Sequence, residues 1–195
     1  MVPFVGLTGG MGAGKSTALA ALERLGAMVL STDRVVHELY EGDQLRDAVI
    51  ARWGSDVAPG GTVDRAAIAA RVFAQPEDRA WLESLLWPQV GARVAEWLEQ
   101  ARAQRPAPPA AVVEVPLLFE AGLEGAYDAT IAVVAEEQLR RERARGRGHT
   151  LTEERVARQL SQEEKAARAT FVVYNDGTER ELEQELSSIL DKLRG

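Results

Sequence analysis

The chain has 195 residues, 46% hydrophobic and 27% charged, which fits one α/β domain with room for a small insertion. It has no cysteine and two histidines, which excludes disulfides and cysteine nucleophiles and disfavours a zinc site. No apolar run approaches the ~18 residues of a membrane span, and a net charge of −7 argues against broad nucleic-acid binding. Because the N-terminus lacks a signal-peptide pattern, we expect a cytoplasmic protein that binds neither membrane nor nucleic acid.

Five short apolar runs rich in Val and Ile are predicted to form strands. Runs of this kind suit a sheet that is buried on both faces. They are Pro3–Thr8, Ala27–Leu30, Ala110–Val115, Thr130–Ala135 and Phe171–Tyr174. Helical patterns separate them, which predicts a mostly parallel five-stranded sheet with helices on both sides, an α/β three-layer sandwich.

The first and last helices carry clear start and stop signals. The first helix is predicted from Gly14 to about Leu25, with Gly26 as its stop signal. The last helix begins with a capping box, in which Thr178 is the cap and Glu181 lies three residues later. Both signals place helix boundaries next to predicted strands.

A block between the second and third strands, about residues 41–105, has a helical pattern throughout. Within it Asp64 is expected to cap one helix, Pro76 to begin another, and Pro88 to interrupt the pattern. Because the block is too long for a simple crossover, we interpret it as a helical subdomain inserted into a single domain, 1–195.

A glycine-rich segment, VGLTGGMGAGKST from Val5, follows the first strand. It has the P-loop spacing of Gly9, four residues, then Gly14, Lys15 and Ser16, and the composition predicts a chance match at roughly two in a thousand. Glycines let successive backbone N–H groups turn toward a phosphate, and the helix N-terminus adds its dipole. Lys15 is expected to reach the β- and γ-phosphates and Ser16 to ligate Mg²⁺. The predicted ATP-binding residues of this loop are Gly12, Ala13, Gly14, Lys15, Ser16 and Thr17.

The P-loop predicts a nucleoside triphosphate donor and leaves the reaction open between a small-molecule kinase and a GTPase or ATPase switch. A GTPase needs an Asp-x-x-Gly switch and an Asn-Lys-x-Asp base-reading element. No aspartate in the chain is followed three positions later by glycine, and the sole asparagine, Asn175, is followed by Asp176. The switch class is therefore disfavoured.

Two acidic residues lie where the strands of an open α/β sheet end and ligands bind. Asp33 follows the second strand, and its position is equally consistent with orienting an attacking hydroxyl and with capping a helix that begins at Arg34. Glu114 ends the third strand, where an acid would support the water shell of Mg²⁺, although a glutamate there is often only solvated.

Five arginines lie between Arg140 and Arg147. Arg141 and Arg145 lie four residues apart and share a helix face, as do Arg143 and Arg147. Such a run is usually a solvated face, and an RNA-binding arm would need aromatic residues nearby. In a phosphoryl-transfer enzyme it is typical of a lid, expected here at about 138–165, that closes over the triphosphate.

These motifs, in this order, resemble the dephospho-CoA kinase family from about Phe4 to Asn175. The most discriminating stretch is VPLLFE, Val115–Glu120, because adenylate, shikimate and nucleoside kinases share the loop and lid but not that stretch. Other matching segments are the P-loop, Asp33, Val63–Arg65, Arg71–Phe73, the lid arginines, Arg158 with Gln162, and Asn175–Gly177.

The resemblance implies ATP-dependent phosphorylation of the 3′-hydroxyl of dephospho-CoA, with Mg²⁺ as cofactor. It favours catalytic roles for Asp33, Lys15 and Arg141 and ATP contacts from Arg145 and Asn175. The helical block would bind the acceptor. A nucleoside or nucleotide monophosphate kinase is the alternative, and a P-loop ATPase or GTPase is less favoured.

Overall fold

The computed structural model describes residues 1–146, without the side chains of 144–146, and residues 159–194. Within that part, five strands form one sheet in the order β2-β3-β1-β4-β5, and every neighbouring pair is parallel. The strands are β1 (Phe4–Gly9), β2 (Met28–Ser31), β3 (Ala111–Glu114), β4 (Ala129–Val134) and β5 (Phe171–Tyr174). The predicted sheet is confirmed, and each strand boundary lies within one residue of its predicted position.

The described helices separate β1 from β2, β2 from β3 and β4 from β5, as the sequence predicts, but no α-helix separates β3 from β4. They are α1 (Lys15–Arg24), α2 (Thr32–Glu41), α3 (Asp43–Trp53), α4 (Arg65–Ala74), α5 (Pro76–Ala103), α6 (Glu137–Gly146), α7 (Gln162–Arg168) and α8 (Glu179–Arg194). Short 3₁₀ turns lie at Ser55–Val57, Pro59–Gly61 and Glu124–Ala126. None of the described helices combines the length and apolar character that a bilayer crossing requires.

The predicted ends of α1 and α8 are confirmed. Gly26 follows α1 with φ of +87°, a left-handed conformation that glycine adopts readily, and its N–H donates to the Glu23 carbonyl at 2.9 Å. At α8, the Glu181 N–H donates to the Thr178 hydroxyl at 3.3 Å, while the Thr178 N–H donates to the Glu181 carboxylate at 2.7 Å. This reciprocal pair is a complete capping box.

The described chain divides into two compact units. The first, the sheet unit, comprises Met1–Ser31 and the described residues from Leu98 onward. Its core joins the sheet to α1 and α8, with Val5 and Leu7 of β1 fully buried against residues such as Leu22 and Leu186. From β1 the chain crosses to β2 at one edge of the sheet, whereas from β3 it crosses past β1 to β4, on the opposite side of β1. The carboxyl end of β1 therefore lies at a topological switch point, where open α/β sheets bind ligands.

The second unit, the helical unit, is Thr32–Trp97. Its core is apolar and includes an edge-to-face pair of Trp53 and Trp81, whose ring centroids lie 5.0 Å apart. The unit begins with α2 and ends within α5, so it overlaps the predicted helical block, 41–105, without matching its bounds.

Signals inside the helical block have mixed outcomes. The Asp64 carboxylate accepts hydrogen bonds from two N–H groups of the first turn of α4, and Pro76 begins α5, as predicted. The prediction for Pro88 is wrong, because α5 runs through it. Proline removes one ladder bond and crowds the preceding turn, but the Gln89 side chain donates to the Leu85 carbonyl at 2.9 Å and supports the helix there.

The capping role weighed for Asp33 is also wrong. Helix α2 begins at Thr32 rather than Arg34, so Asp33 lies inside the first turn and not at the N-cap position. A carboxylate in the first turn still interacts favourably with the helix dipole. The side chain of Asp33 is exposed.

Candidate active site

The glycine-rich segment forms the turn between β1 and α1 at the switch point of the sheet. Gly12 and Gly14 have φ of +75° and +93°, which other residues rarely adopt. A side chain at Gly12 would meet the backbone of Arg140, and one at Gly14 would meet the amide of Asn175. Glycine is therefore required at both positions by the backbone and by close neighbours.

Lys15 closes this turn. Its ammonium group donates to the carbonyls of Gly9 and Gly10 at 3.1 and 3.3 Å, and the Ala13 N–H donates to Gly10 O at 3.2 Å. The first turn of α1 contains no acidic residue, so the positive end of the helix dipole is not neutralised locally. Lysine, glycine backbone and helix N-terminus together make an anion site.

Two side chains of the sheet unit supply oxygen atoms that could serve a metal ion, one in the loop segment and one at the end of the strand that pairs with β1. Ser16 is exposed on the first turn of α1. Glu114 is buried at the carboxyl end of β3, in register with Leu7 of β1 and Ser31 of β2. A carboxylate placed at the end of the strand next to β1 has the position expected of an acid that supports a metal ion.

Asn175 supports the loop through its side-chain amide. It follows β5, its N–H donates to the Val134 carbonyl at 2.8 Å, and its side-chain amide donates to the Ala13 carbonyl at 2.8 Å. The residue is buried. Its predicted place at the nucleotide loop therefore has a defined local geometry, although its contact with ATP stays a prediction.

The arginines of α6 fall into different environments. Arg140 donates to the Met11 carbonyl at 3.0 Å and Arg143 to the Asn175 carbonyl at 2.9 Å, so both engage the loop or its support. Arg141 instead pairs with Glu137 on its own helix, and 62% of its side chain is exposed. Arg145 belongs to α6, but its side chain lies outside the described residues.

The predicted lid, 138–165, is only partly described. Its first segment is α6, and α7 begins near its end. Residues 147–158, including Arg147 and Arg158, lie outside the described residues. Gln162, at the start of α7, makes two hydrogen bonds to Ala135, the residue after β4. Its side-chain amide donates to the Ala135 carbonyl and accepts the Ala135 N–H, each at 2.9 Å.

A buried ionic network lies behind the loop, and sequence reasoning missed it. The Lys165 ammonium, 1% exposed, bonds to the Glu120 carboxylate at 2.9 Å and to the Pro116 carbonyl at 2.8 Å. Thr8, the residue before the loop, donates its hydroxyl to the same Pro116 carbonyl at 3.3 Å. The carboxylate of Glu120 also accepts the Leu160 N–H at 2.9 Å. Pro116 and Glu120 both belong to the VPLLFE stretch, so two residues of that stretch have a structural role in this network.

The sequence signal that could have drawn attention to Lys165 is the rarity of lysine in this chain. The chain has three lysines among twenty-three basic residues, and one of the other two is in the phosphate loop. Rarity alone does not predict a confined site, because Lys192 is exposed. In the structure the compact ammonium of Lys165 suits a closed cage of three acceptors better than a planar guanidinium would.

Asp33 belongs to the helical unit and lies in the first turn of α2. One turn along α2, His37 is hydrogen-bonded through Nδ1 to the Arg65 guanidinium, which also lies 5.8 Å from the ring of Tyr40. Burial raises the pKa of Tyr40, and the positive charge of Arg65 opposes that shift. A cation from α4, Arg65, therefore contacts the helix that carries Asp33.

The glycine turn, its lysine and the buried acid at the switch point of a parallel sheet define a P-loop nucleotide-binding α/β protein. Comparisons with known proteins narrow that class. A family model described as dephospho-CoA kinase matches residues 3–181. The chain belongs to the dephospho-CoA kinase family.

Individual relatives agree over nearly the full length. A dephospho-CoA kinase of Anaeromyxobacter dehalogenans is 41% identical over 98% of this chain and 92% of its own, and one of Deinococcus radiodurans is 42% identical over 97% and 91%. The crystal structure of TT1252 from Thermus thermophilus has a TM-score of 0.82 and 35% identity, and all of both chains is covered. The matched length includes both units, not the nucleotide loop alone.

Proposed function

We propose that the chain transfers the γ-phosphoryl group of ATP to the 3′-hydroxyl of dephospho-CoA, giving coenzyme A and ADP. The observation that carries this function is the family match over residues 3–181, which spans the phosphate loop and the helical unit. A nucleoside or nucleotide kinase would share the loop and the lid but not the VPLLFE stretch, and it is not favoured. Because ATP is supplied in the cytoplasm and a cysteine-free chain needs no oxidising compartment, we also propose a cytoplasmic location.

The phosphate loop is proposed to hold the polyphosphate of ATP. Backbone N–H groups of residues 12–16 would donate to the β-phosphate, together with the N-terminal dipole of α1. The Lys15 ammonium lies at the loop, bonded to carbonyls that a phosphate oxygen would replace or join. The remaining proposed contacts are Thr17, next along α1, and Asn175, whose amide holds the Ala13 carbonyl.

The residues proposed for the metal site are chemically suited to magnesium. Mg²⁺ prefers oxygen ligands and usually takes only one or two from the protein, with phosphates and water completing the shell. Ser16 supplies an exposed hydroxyl and Glu114 a carboxylate, and the described residues contain no cluster of three histidine, cysteine or acidic side chains that would suit a fully protein-bound metal. Ser16 would ligate the ion, Glu114 would orient its water, and the ion would neutralise charge on the phosphate oxygens.

The transfer itself is proposed to use Asp33 and the α6 arginines. Asp33 would orient the 3′-hydroxyl and accept its proton as the new P–O bond forms and the bond from the γ-phosphorus to the β,γ-bridging oxygen breaks. Arg141 and Arg145 would stabilise charge on the transferring group. A loose transition state needs little base strength, so most of the rate enhancement would come from positioning and charge.

A coupled assay of ADP release tests this function. The purified chain is given ATP and one acceptor at a time from a panel of dephospho-CoA, AMP, adenosine and shikimate. We expect turnover with dephospho-CoA to exceed that with each other acceptor by at least about a hundredfold, since a site built for a large polar acceptor rejects partial analogues strongly. Preference for AMP would favour the nucleotide kinase, and equal ADP release without any acceptor would favour an ATPase.

A further inference from the structure

The outward-facing carbonyls of the phosphate loop are held by Lys15 of the loop itself and by donors from elsewhere in the sheet unit. We infer that Arg140 is a positioning residue that fixes this loop in its anion-binding shape before nucleotide binds. Arg143 contributes in the same direction through Asn175. The inference rests on the proposed function and adds a residue that neither the motif nor the family resemblance assigns.

The geometry of an anion nest creates the need for such donors. When successive N–H groups point toward a phosphate, the carbonyls of the same peptides point away from it, and buried carbonyls must be paired. Here Lys15 takes the Gly9 and Gly10 carbonyls, Arg140 takes that of Met11, and Asn175 takes that of Ala13. Each of these hydrogen bonds restrains one peptide of the turn.

Arg140 is the donor with the widest contact to the loop. Its Nε donates to Met11 O at 3.0 Å. Its guanidinium lies next to Gly10, where an added Cβ would be 3.0 Å from Nη2, and its own backbone lies against Gly12. Three successive loop residues therefore touch one side chain and its backbone. Because the loop is glycine-rich and intrinsically mobile, restraint from outside decides how much of its entropy is lost before binding.

Arg143 supports the loop indirectly, through Asn175. Its Nη1 donates to the Asn175 carbonyl at 2.9 Å. Asn175 is already fixed by its own N–H bond to Val134 and by its side-chain bond to Ala13. Removing Arg143 therefore leaves two of three restraints on Asn175, whereas removing Arg140 leaves the Met11 carbonyl without this bond.

The contrast with Arg141 separates positioning from direct catalysis. Arg141 pairs with Glu137 on the exposed side of α6, and the family resemblance gives it a role on the phosphoryl group. Arg140 reaches the backbone of the loop instead. Its effect should consequently appear in nucleotide affinity and in loop order rather than in the chemical step.

The test compares Arg140→Met with Arg102→Met, which removes an equally long arginine that pairs with Glu99 on α5. Binding of ADP and of inorganic triphosphate to the full chain is measured by calorimetry, and KM values are measured for both substrates. We expect Arg140→Met to raise Kd for both ligands and KM for ATP about tenfold, as for one lost charge-assisted hydrogen bond. The KM for dephospho-CoA should stay within about twofold.

Hydrogen exchange supplies a readout that general loss of stability would not give. Without ligand, the peptide that contains residues 9–17 should exchange faster in Arg140→Met than in the parent, while peptides from β4 and β5 are unchanged. Arg143→Met should show the same pattern with a smaller change. If Arg140→Met does not fold, Arg140→Gln, which keeps a donor, replaces it and should show an intermediate rise in Kd.

Two outcomes are distinguishable. Parent-like triphosphate affinity and loop exchange in a folded Arg140 variant would overturn the positioning role and leave the proposed kinase function intact. Failure of the parent chain itself to bind ADP or triphosphate would overturn the proposed function, and with it the inference.

Discussion

The sheet unit and the helical unit bury different kinds of residue. In the described part of the chain, all buried polar side chains belong to the sheet unit, and they are Thr8, Glu114, Thr130, Lys165 and Asn175. The helical unit has a core of aliphatic and tryptophan side chains. Buried polar groups must be paired, so each one fixes a local geometry, whereas apolar packing tolerates adjustment.

This difference matches the tasks proposed for the two units. Phosphate binding needs donors held to within fractions of an ångström, and four of the five buried polar side chains lie at strand ends or behind the loop. The acceptor is flexible and long, and the residue proposed to orient its hydroxyl, Asp33, is exposed on the helical unit. The comparison is sharpened by variants placed in each unit.

The largest effect is expected in the loop, from Lys15→Met. Loss of the ammonium should lower kcat by about 10²–10⁴, the range for a group that stabilises developing charge. Steady-state kinetics with ATP and dephospho-CoA measures this, and thermal melting checks the fold. Lys192→Met, on α8, is the matched control and should keep parent kinetics. Near-normal turnover of Lys15→Met would remove the loop from the chemistry.

Asp33→Asn tests the helical unit at one exposed position. The amide cannot accept the hydroxyl proton, and we expect kcat to fall by about 10²–10⁴ with little change in stability. Asp47→Asn, an exposed aspartate of α3, serves as the control. Turnover close to that of the parent would reduce Asp33 to a residue that stabilises the first turn of α2.

The two kinds of core predict unequal tolerance to substitution by methionine. Lys165→Met leaves the Glu120 carboxylate buried without its ammonium, which should cost about 3–5 kcal/mol of unfolding free energy. Leu45→Met, fully buried in the helical unit, conserves volume and should cost less than about 1.5 kcal/mol. Chemical denaturation measures both.

A second variant checks the reason for this cost. Glu120→Gln in the Lys165→Met background removes the unpaired charge and should recover part of the lost stability. If Lys165→Met were as stable as Leu45→Met, the ionic network would not be what orders the region behind the loop.

The smallest effect is a pH dependence at the surface of the sheet unit. Hydrogen bonds from the Thr178 N–H and hydroxyl hold the pKa of Glu181 below its ordinary value of 4.5. The carboxylate therefore stabilises the fold above pH 4.5, and this contribution is lost as the pH falls through the lowered folded-state pKa. The stability difference between the parent and Glu181→Gln should shrink in that window.

Much of this fold could be predicted because its signals are local. Buried runs of Val and Ile fix the strands, and Gly26 and Thr178 fix helix ends through bonds to residues within one turn. The phosphate loop was predictable for the same reason, since its spacing encodes backbone geometry that only glycine allows at Gly12 and Gly14.

The features that could not be predicted depend on contacts between residues distant in sequence, or on a neighbouring side chain that offsets an unfavourable residue. Lys165 reaches Thr8 and Pro116 from 157 and 49 residues away, which no spacing rule reveals. Helical periodicity groups the α6 arginines into faces but does not show that Arg140 meets the loop. The predicted interruption at Pro88 is wrong because the general effect of proline on a helix takes no account of the Gln89 side chain, which supports the helix here.

A crystal structure of the chain with ADP and Mg²⁺ tests the central claim most directly. We predict that the β-phosphate accepts hydrogen bonds from the backbone N–H groups of residues 12–16, with the Lys15 ammonium on the same phosphate and Ser16 on the ion. A loop that stays empty while ADP binds elsewhere, or a phosphate excluded from the turn by side chains, would contradict the account.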